Sequence, residues 1–164
     1  MKIAFGVDIG GSGIKGAPVK LKTGELAGER FKILTPQPST PQAVVGVIGE
    51  LLAHFGLAPD VPVGVAFPAP IRDGVIPWIA NLDKSWEGAN LGELVQAGTG
   101  RRCTVVNDAD AAGYAEVMYG AAKGHTGTVG VFTLGTGIGS ALITGGKLWP
   151  NSEFGHIQLG RHED

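Results

Sequence analysis

Three stretches of the chain combine side chains and backbone in patterns suited to chemistry on a phosphate and a hydroxyl. Val106 to Glu116 reads VNDADAAGYAE. A β-branched run (Thr104, Val105, Val106) ends there, Asn107 and Asp108 follow, and alanine-rich, helix-forming sequence runs on to Gly120. Open α/β sheets present ligands at the carboxyl ends of their strands, so an amide and a carboxylate at a strand-to-helix junction are placed to touch a polar molecule. Two glycine-rich turns, DIGGSGIKG (Asp8 to Gly16) and LGTGIGS (Leu134 to Ser140), can each offer backbone N–H groups to phosphate. A carboxylate and two such cradles around a cleft is the arrangement expected.

Phosphoryl transfer needs anchored phosphate oxygens, usually a metal, and a group that orients the acceptor hydroxyl. Its transition state is loose, so a positioned carboxylate suffices as base, and Asp108 is the candidate. At a helix N-terminus its charged form is favoured. Asp is also a preferred N-cap, so the spacing fits equally well a purely capping role for Asp108 or Asp110. Gly11, Gly13 and Gly16 satisfy G-x-G-x-x-G, but the dinucleotide fingerprint requires a helix directly after the strand. Here Pro18, Val19 and a Thr23-Gly24 turn indicate a second strand, leaving a hairpin that is either a phosphate nest or a plain glycine turn. Glu153, Gly155 and His156 form E-x-G-H, whose acid and imidazole point the same way if the segment is helical or tightly turned. H-E-x-x-H is absent and no Cys cluster follows.

These residues sit in a chain of 164 residues with 43% hydrophobic and 17% charged residues, enough for a globular core and unlike disorder. The net charge of −2 gives no basic surface for nucleic acid. No apolar run is long enough to cross a bilayer, and the N-terminus enters a strand too soon to be a signal peptide. A single cysteine, Cys103, excludes a disulfide framework and fits a reducing cytoplasm. The 28 glycines imply many tight turns or close backbone approaches.

The elements that must position the chemistry follow from pattern. Lys2 to Asp8, Ile14 to Leu21 and Leu26 to Leu34 predict three consecutive strands in a meander. After a Pro-rich connector, Thr40 is placed to cap a helix with Pro41 at its first position. Val44, Ile48, Leu51, Leu52 and Phe55 give that helix one apolar face, Gly56 ends it, and His54 within it is expected in solvent. Val61 to Phe67 is the next strand, stopped by Pro68. Arg72-Asp73-Gly74 turns the chain, and Val75 to Gly88 is expected as an irregular loop. Its Trp78, Trp86, Asn81 and Asp83 suit sugar binding, or the two indoles only pin the loop. A helix capped by Asn90 and a strand from Arg102 to Val106 lead back to Asp108. Beyond Gly120, Thr128 to Leu134 and Ala141 to Thr144 predict strands, with a third at Lys147-Leu148-Trp149. Strand, glycine turn, strand thus occurs twice. The expectation is an α/β fold of βββαβαβα order over residues 1–120, followed over 121–164 by the start of a second lobe of like topology that Asp164 leaves incomplete.

In this order, DIGGSGIKG, NDADAAGYAE, LGTGIGSAL and EFGH resemble the ROK family (repressors, open reading frames and sugar kinases) of the actin-like ATPase superfamily. TPQPSTPQ and NLDKSW look most like its polyphosphate-dependent glucokinase and glucomannokinase branch. The resemblance implies phosphoryl transfer from polyphosphate or ATP to the 6-hydroxyl of glucose or mannose. It implies Asp108 as base, and Asn81, Asn107, Glu153 and His156 as sugar ligands. Asp8, Gly10, Gly11, Ser12 and Lys15 match the first phosphate turn, and Gly135, Thr136 and Gly137 the second. Magnesium is expected with the phosphate, through water near Asp8. Zinc is not expected, because the Cys cluster of many members is missing. A cytoplasmic protein that is a homodimer at full length is expected, with neither nucleic acid nor membrane as partner. A non-catalytic sugar sensor or sugar-binding fragment is the alternative.

Overall fold

The computed structural model describes residues 2–135 and 137–157, and its first strand sets the architecture. Along β1 (Ile3–Ile9), Phe5, Val7 and Ile9 are buried while Ala4, Gly6 and Asp8 alternate with them on the other face, which commits one side of the strand to a core. β2 (Ile14–Lys20) returns antiparallel, with Ile9 opposite Ile14 and Asp8 opposite Lys15. Gly16 leaves room there for the Phe5 ring, whose Cζ would lie 2.5 Å from a Cβ at that position. β3 (Phe31–Ile33) pairs with β2 and sets Lys32 opposite Lys15. β4 (Val63–Phe67) runs parallel to β1, and β5 (Cys103–Asn107) parallel to β4, giving a five-stranded mixed sheet of order β3-β2-β1-β4-β5.

Helix α1 (Pro41–Phe55) starts where the Thr40 hydroxyl accepts the Ala43 N–H at 3.4 Å and ends at Gly56, whose φ of 56° is left-handed. Its buried Val44, Val47, Ile48, Leu51 and Leu52 fill the core above the sheet. α2 (Leu91–Thr99) repeats the device: Asn90 accepts the Glu93 N–H and Gly100 closes the helix at φ 69°. The buried Arg101 guanidinium donates to the carbonyls of Leu57 and Val61, at 2.7 and 3.1 Å, and to that of Ala58. It thereby closes the chain that leaves α1. Thr40, Gly56 and Asn90 are legible in the sequence as helix ends; Arg101 is not.

A second compact unit follows the first, the two spanning Ala109–Asp164 and Met1–Asp108. The boundary lies ahead of the expected residue 120 because most of α3 (Asp108–Met118) belongs with the later sheet. α3 buries Ala109, Asp110, Gly113 and Val117, a face of small residues. A Cβ on Gly113 would overlap the Ala141 methyl, so the helix lies close on its strands. β6 (Thr128–Leu134), β7 (Ile138–Thr144) and β8 (Lys147–Trp149) form an antiparallel meander of order β6-β7-β8. This has the same connectivity as the opening meander β1-β2-β3.

Two strand assignments change. The third strand is only Phe31–Ile33, joined by an isolated bridge between Leu26 and Val19. Gly28, Glu29 and Arg30 are exposed and hold no ladder, so the apolar count over Leu26 to Leu34 overstated it. β7 begins at Ile138 rather than Ala141, because Ile138 already pairs with Leu134.

Candidate active site

The first glycine turn spans Gly10 to Gly13, between the paired residues Ile9 and Ile14. The Gly10 N–H donates to the Gly13 carbonyl at 3.1 Å, and the Thr35 hydroxyl donates to the Gly10 carbonyl at 2.5 Å. These bonds fix the turn while Gly11 and Ser12 stay exposed. Lys15 Nζ lies 3.2 Å from Asp8 Oδ2. The loop carrying Asn81 runs beside the turn: a Cβ on Gly11 would sit 3.5 Å from the Asn81 carbonyl oxygen, an ordinary contact. Asp8, Gly10, Gly11, Ser12, Lys15 and the exposed Asn81 thus fall in one neighbourhood of the first unit.

That loop is built by local chemistry. Arg72 and Val75 exchange two backbone hydrogen bonds of 2.9 Å across Asp73 and Gly74, whose φ angles are 50° and 79°. Two positive φ values in a two-residue hairpin turn are what Asp-Gly favours. Asp83 caps a short 3-10 turn, Lys84–Trp86, by accepting the Ser85 N–H at 2.9 Å. The Ser85 hydroxyl and then its N–H hold the Asp83 carboxyl below the usual range. Trp86 is fully buried against Phe67 and donates to the Ser39 carbonyl at 2.8 Å. Of the two readings for the indoles, packing therefore holds for Trp86. Trp78 is 44% exposed on the same loop. His54 is exposed as expected, with its ring stacked on Phe31 at 3.9 Å.

β5 ends at Asn107 and α3 starts at Asp108, so the strand-to-helix junction lies where the sequence put it. Asn107 is buried and its Nδ2 donates to the Ala69 carbonyl at 3.3 Å. Asp108 is exposed beside it. An anchored amide next to a solvent-exposed carboxylate is a geometry that can hold one hydroxyl and accept the proton of another.

In the second unit, Leu134 and Ile138 pair across the turn and the Gly135 N–H donates to the Gly137 carbonyl at 2.9 Å. Gly135 and Gly137 are exposed; Thr136 lies outside the described residues. Glu153 precedes a 3-10 turn, Phe154–His156, and His156 Nδ1 lies 3.2 Å from Glu153 Oε2. Acid and imidazole do share one side of a tight turn. Three contacts unseen in the sequence hang this segment on the scaffold. The buried Asp110 accepts the Asn151 N–H at 2.8 Å, and Ser140 Oγ accepts the Phe154 N–H at 2.7 Å. The Ser152 hydroxyl donates to the Ser140 carbonyl at 3.1 Å. By local pattern Asp110 reads only as a helix cap; its partner is 41 residues away, beyond any such pattern.

Asn151 and Glu153 have left-handed φ values of 57° and 43°; Asn tolerates that region, whereas Glu adopts it at a cost of roughly 1–2 kcal/mol. Such backbone concentrates where function over-determines it. Gly155 has no alternative, because a Cβ would collide with the Ile138 carbonyl.

Among the described residues no group of three or more His, Cys, Asp and Glu could hold a metal, and no helix is long and apolar enough to cross a membrane. A single carboxylate such as Asp8 beside a glycine turn suits magnesium in chemical type, since that ion keeps most of its waters and takes few protein ligands. Burial pushes the Cys103 thiol up to about 11, away from reactivity.

A model of the ROK family matches residues 4–164. The chain is 51% identical over 160 residues to a polyphosphate glucokinase of Mycobacterium tuberculosis, covering 97% of this chain and 60% of that protein. A crystal structure of an inorganic polyphosphate/ATP-glucomannokinase from Arthrobacter sp. strain KM superposes with a TM-score of 0.91 at 50% identity, over 97% of this chain and 65% of that one. A ROK family glucokinase from Streptomyces griseus, solved with glucose and AMPPNP, gives 0.83 at 34% identity, over 96% and 51%. The chain therefore spans about three-fifths of the length of the first relative it matches. The fold shared with these sugar kinases is the actin-like ATPase fold.

Proposed function

The chain belongs to the ROK family, and on that premise we propose that the protein phosphorylates the 6-hydroxyl of glucose, or of the related mannose, from polyphosphate or ATP. The observation that carries this is the junction at Asn107 and Asp108: a buried, anchored amide followed by an exposed carboxylate at a helix start. The names of the similar proteins support the chemical class.

In this mechanism Asp108 accepts the proton of the 6-hydroxyl as that oxygen bonds to the terminal phosphorus and the bond to the donor's bridging oxygen breaks. Asn107 and Asn81 bind the sugar's other hydroxyls, as do Glu153 and His156, whose mutual contact sets the imidazole's orientation. Gly11 and Ser12 give backbone N–H groups to donor phosphate, Gly10 shapes the turn through its bond to the Gly13 carbonyl, and Lys15 neutralises charge there. Gly135, Thr136 and Gly137 are assigned to a second phosphate. Asp8 would hold magnesium through water, and bound magnesium would draw charge from the phosphate oxygens. The working form is taken as a cytoplasmic homodimer of the full-length protein, which sizing would check.

The test is a coupled glucose 6-phosphate assay with each donor, beside calorimetric glucose binding. Asp108→Asn should lower kcat by about 10²–10⁴-fold, the usual contribution of a general base, and leave glucose affinity nearly unchanged. Turnover within tenfold of the parent would remove Asp108 from the mechanism. Glucose binding without turnover in the parent would make the protein a sugar-binding module.

A further inference from the structure

The charge that would hold a long anionic donor is assembled by strand register rather than by sequence clustering. Lys15 on β2 stands opposite Asp8 on one side and opposite Lys32 of β3 on the other. The three form a row across the sheet, beside the first glycine turn. Lys15 is paired with Asp8. Among the described residues Lys32 forms no ion pair. Its stem lies back over Gly13: a Cβ there would overlap Lys32 Cε and come within 3.1 Å of Nζ. The ammonium is thus drawn to the turn rather than splayed from the edge, and the absence of a side chain at Gly13 makes the space.

Like charges directly opposed on neighbouring strands repel and weaken a sheet. An anion lying along them reverses the sign. The row ends at β3, the edge strand, so an anion following it runs from the turn toward open solvent with no strand to stop it. A nucleotide ends its phosphates at the turn; a linear polyphosphate does not.

We propose that Lys32 is a binding residue for polyphosphate, engaging phosphates of the chain beyond those seated on the turn and favouring that donor over ATP. This rests on the reading of Gly10 to Gly13 as a phosphate seat. Gly13 serves it by letting the Lys32 stem lie flat.

Binding of long-chain polyphosphate and of AMPPNP to the protein would be measured against salt concentration for the parent, Lys32→Gln, Lys32→Arg and Gly13→Ala. Circular dichroism would confirm folding, which the exposed Lys32 should not disturb. Loss of one charged contact corresponds to roughly a tenfold loss of affinity. Lys32→Gln should show that loss for polyphosphate, with a shallower salt dependence, and less than about a twofold change for AMPPNP by the same scale. Lys32→Arg should retain binding, and Gly13→Ala should weaken polyphosphate in the same direction as Lys32→Gln. Unchanged polyphosphate affinity in Lys32→Gln overturns the inference and leaves the phosphate seat standing. Equal loss for both ligands overturns the donor preference. A parent protein that binds neither ligand overturns the seat and the inference together.

Discussion

Asp8 and Lys15 face each other on antiparallel strands, with the carboxylate oxygen 3.2 Å from the ammonium. Their side chains are 51% and 43% exposed, and pairs so open contribute only about 0–1 kcal/mol. Stability does not account for the pair, which stands beside the turn proposed as a phosphate seat. Lys15→Met is expected to cost under about 1 kcal/mol in denaturant unfolding while raising the KM for either phosphoryl donor about tenfold, the scale of one lost charge-assisted contact. A large stability loss with unchanged KM would make the pair structural.

The E-x-G-H turn holds Glu153 in a left-handed conformation at a cost in stability. Glu153→Gly removes a left-handed non-glycine residue, so unfolding should show a gain of up to about 1 kcal/mol while glucose affinity falls. Gly155→Ala forces a methyl into the Ile138 carbonyl and should cost about 1–3 kcal/mol by overpacking, with sugar binding lost as well. If Glu153→Gly binds glucose as the parent does, Glu153 is no sugar ligand.

The two indoles of the 75–88 loop should separate cleanly. Trp86→Ala removes a fully buried ring bonded to Ser39 and is expected to cost about 3–5 kcal/mol. Trp78→Ala, at a half-exposed site, should shift stability by only about 0.5 kcal/mol, so calorimetry of glucose binding with that variant reads its part in recognition directly.

Cys103 gives a signed pH dependence. Its thiol is raised by burial from 9.0 to about 11, so the folded state keeps a proton that the unfolded chain loses first. Its contribution to stability is complete below pH 9 and is lost as pH rises through about 11. Denaturant midpoints across that range should fall less steeply in Cys103→Ala than in the parent. Iodoacetamide should label native protein slowly at pH 8 and unfolded protein fast.

What could be foreseen from the chain was local. Thr40 with Pro41, Asn90 and Gly56 act on groups within four residues, and the Asn107–Asp108 junction follows from a β-branched run meeting alanines. Glu153 and His156 meet because a tight turn brings i and i+3 together. The misses are contacts set by register and tertiary packing. Lys32 gains its meaning only when β3 pairs with β2, Asp110 when Asn151 comes back to α3, and Arg101 when the α1 exit loop folds over it. The overlong third strand has the converse cause: hydrophobic residues in Leu26 to Leu34 signal burial, yet Leu26 and Leu34 are 47% and 74% exposed.

The brevity of that strand has a protective side. An outermost strand ordinarily offers unpaired amides as a template on which a stray chain can zip itself. Here the offer is three residues long, with a lysine in the middle. An incoming strand would find few rungs to pair with, which disfavours fibre growth.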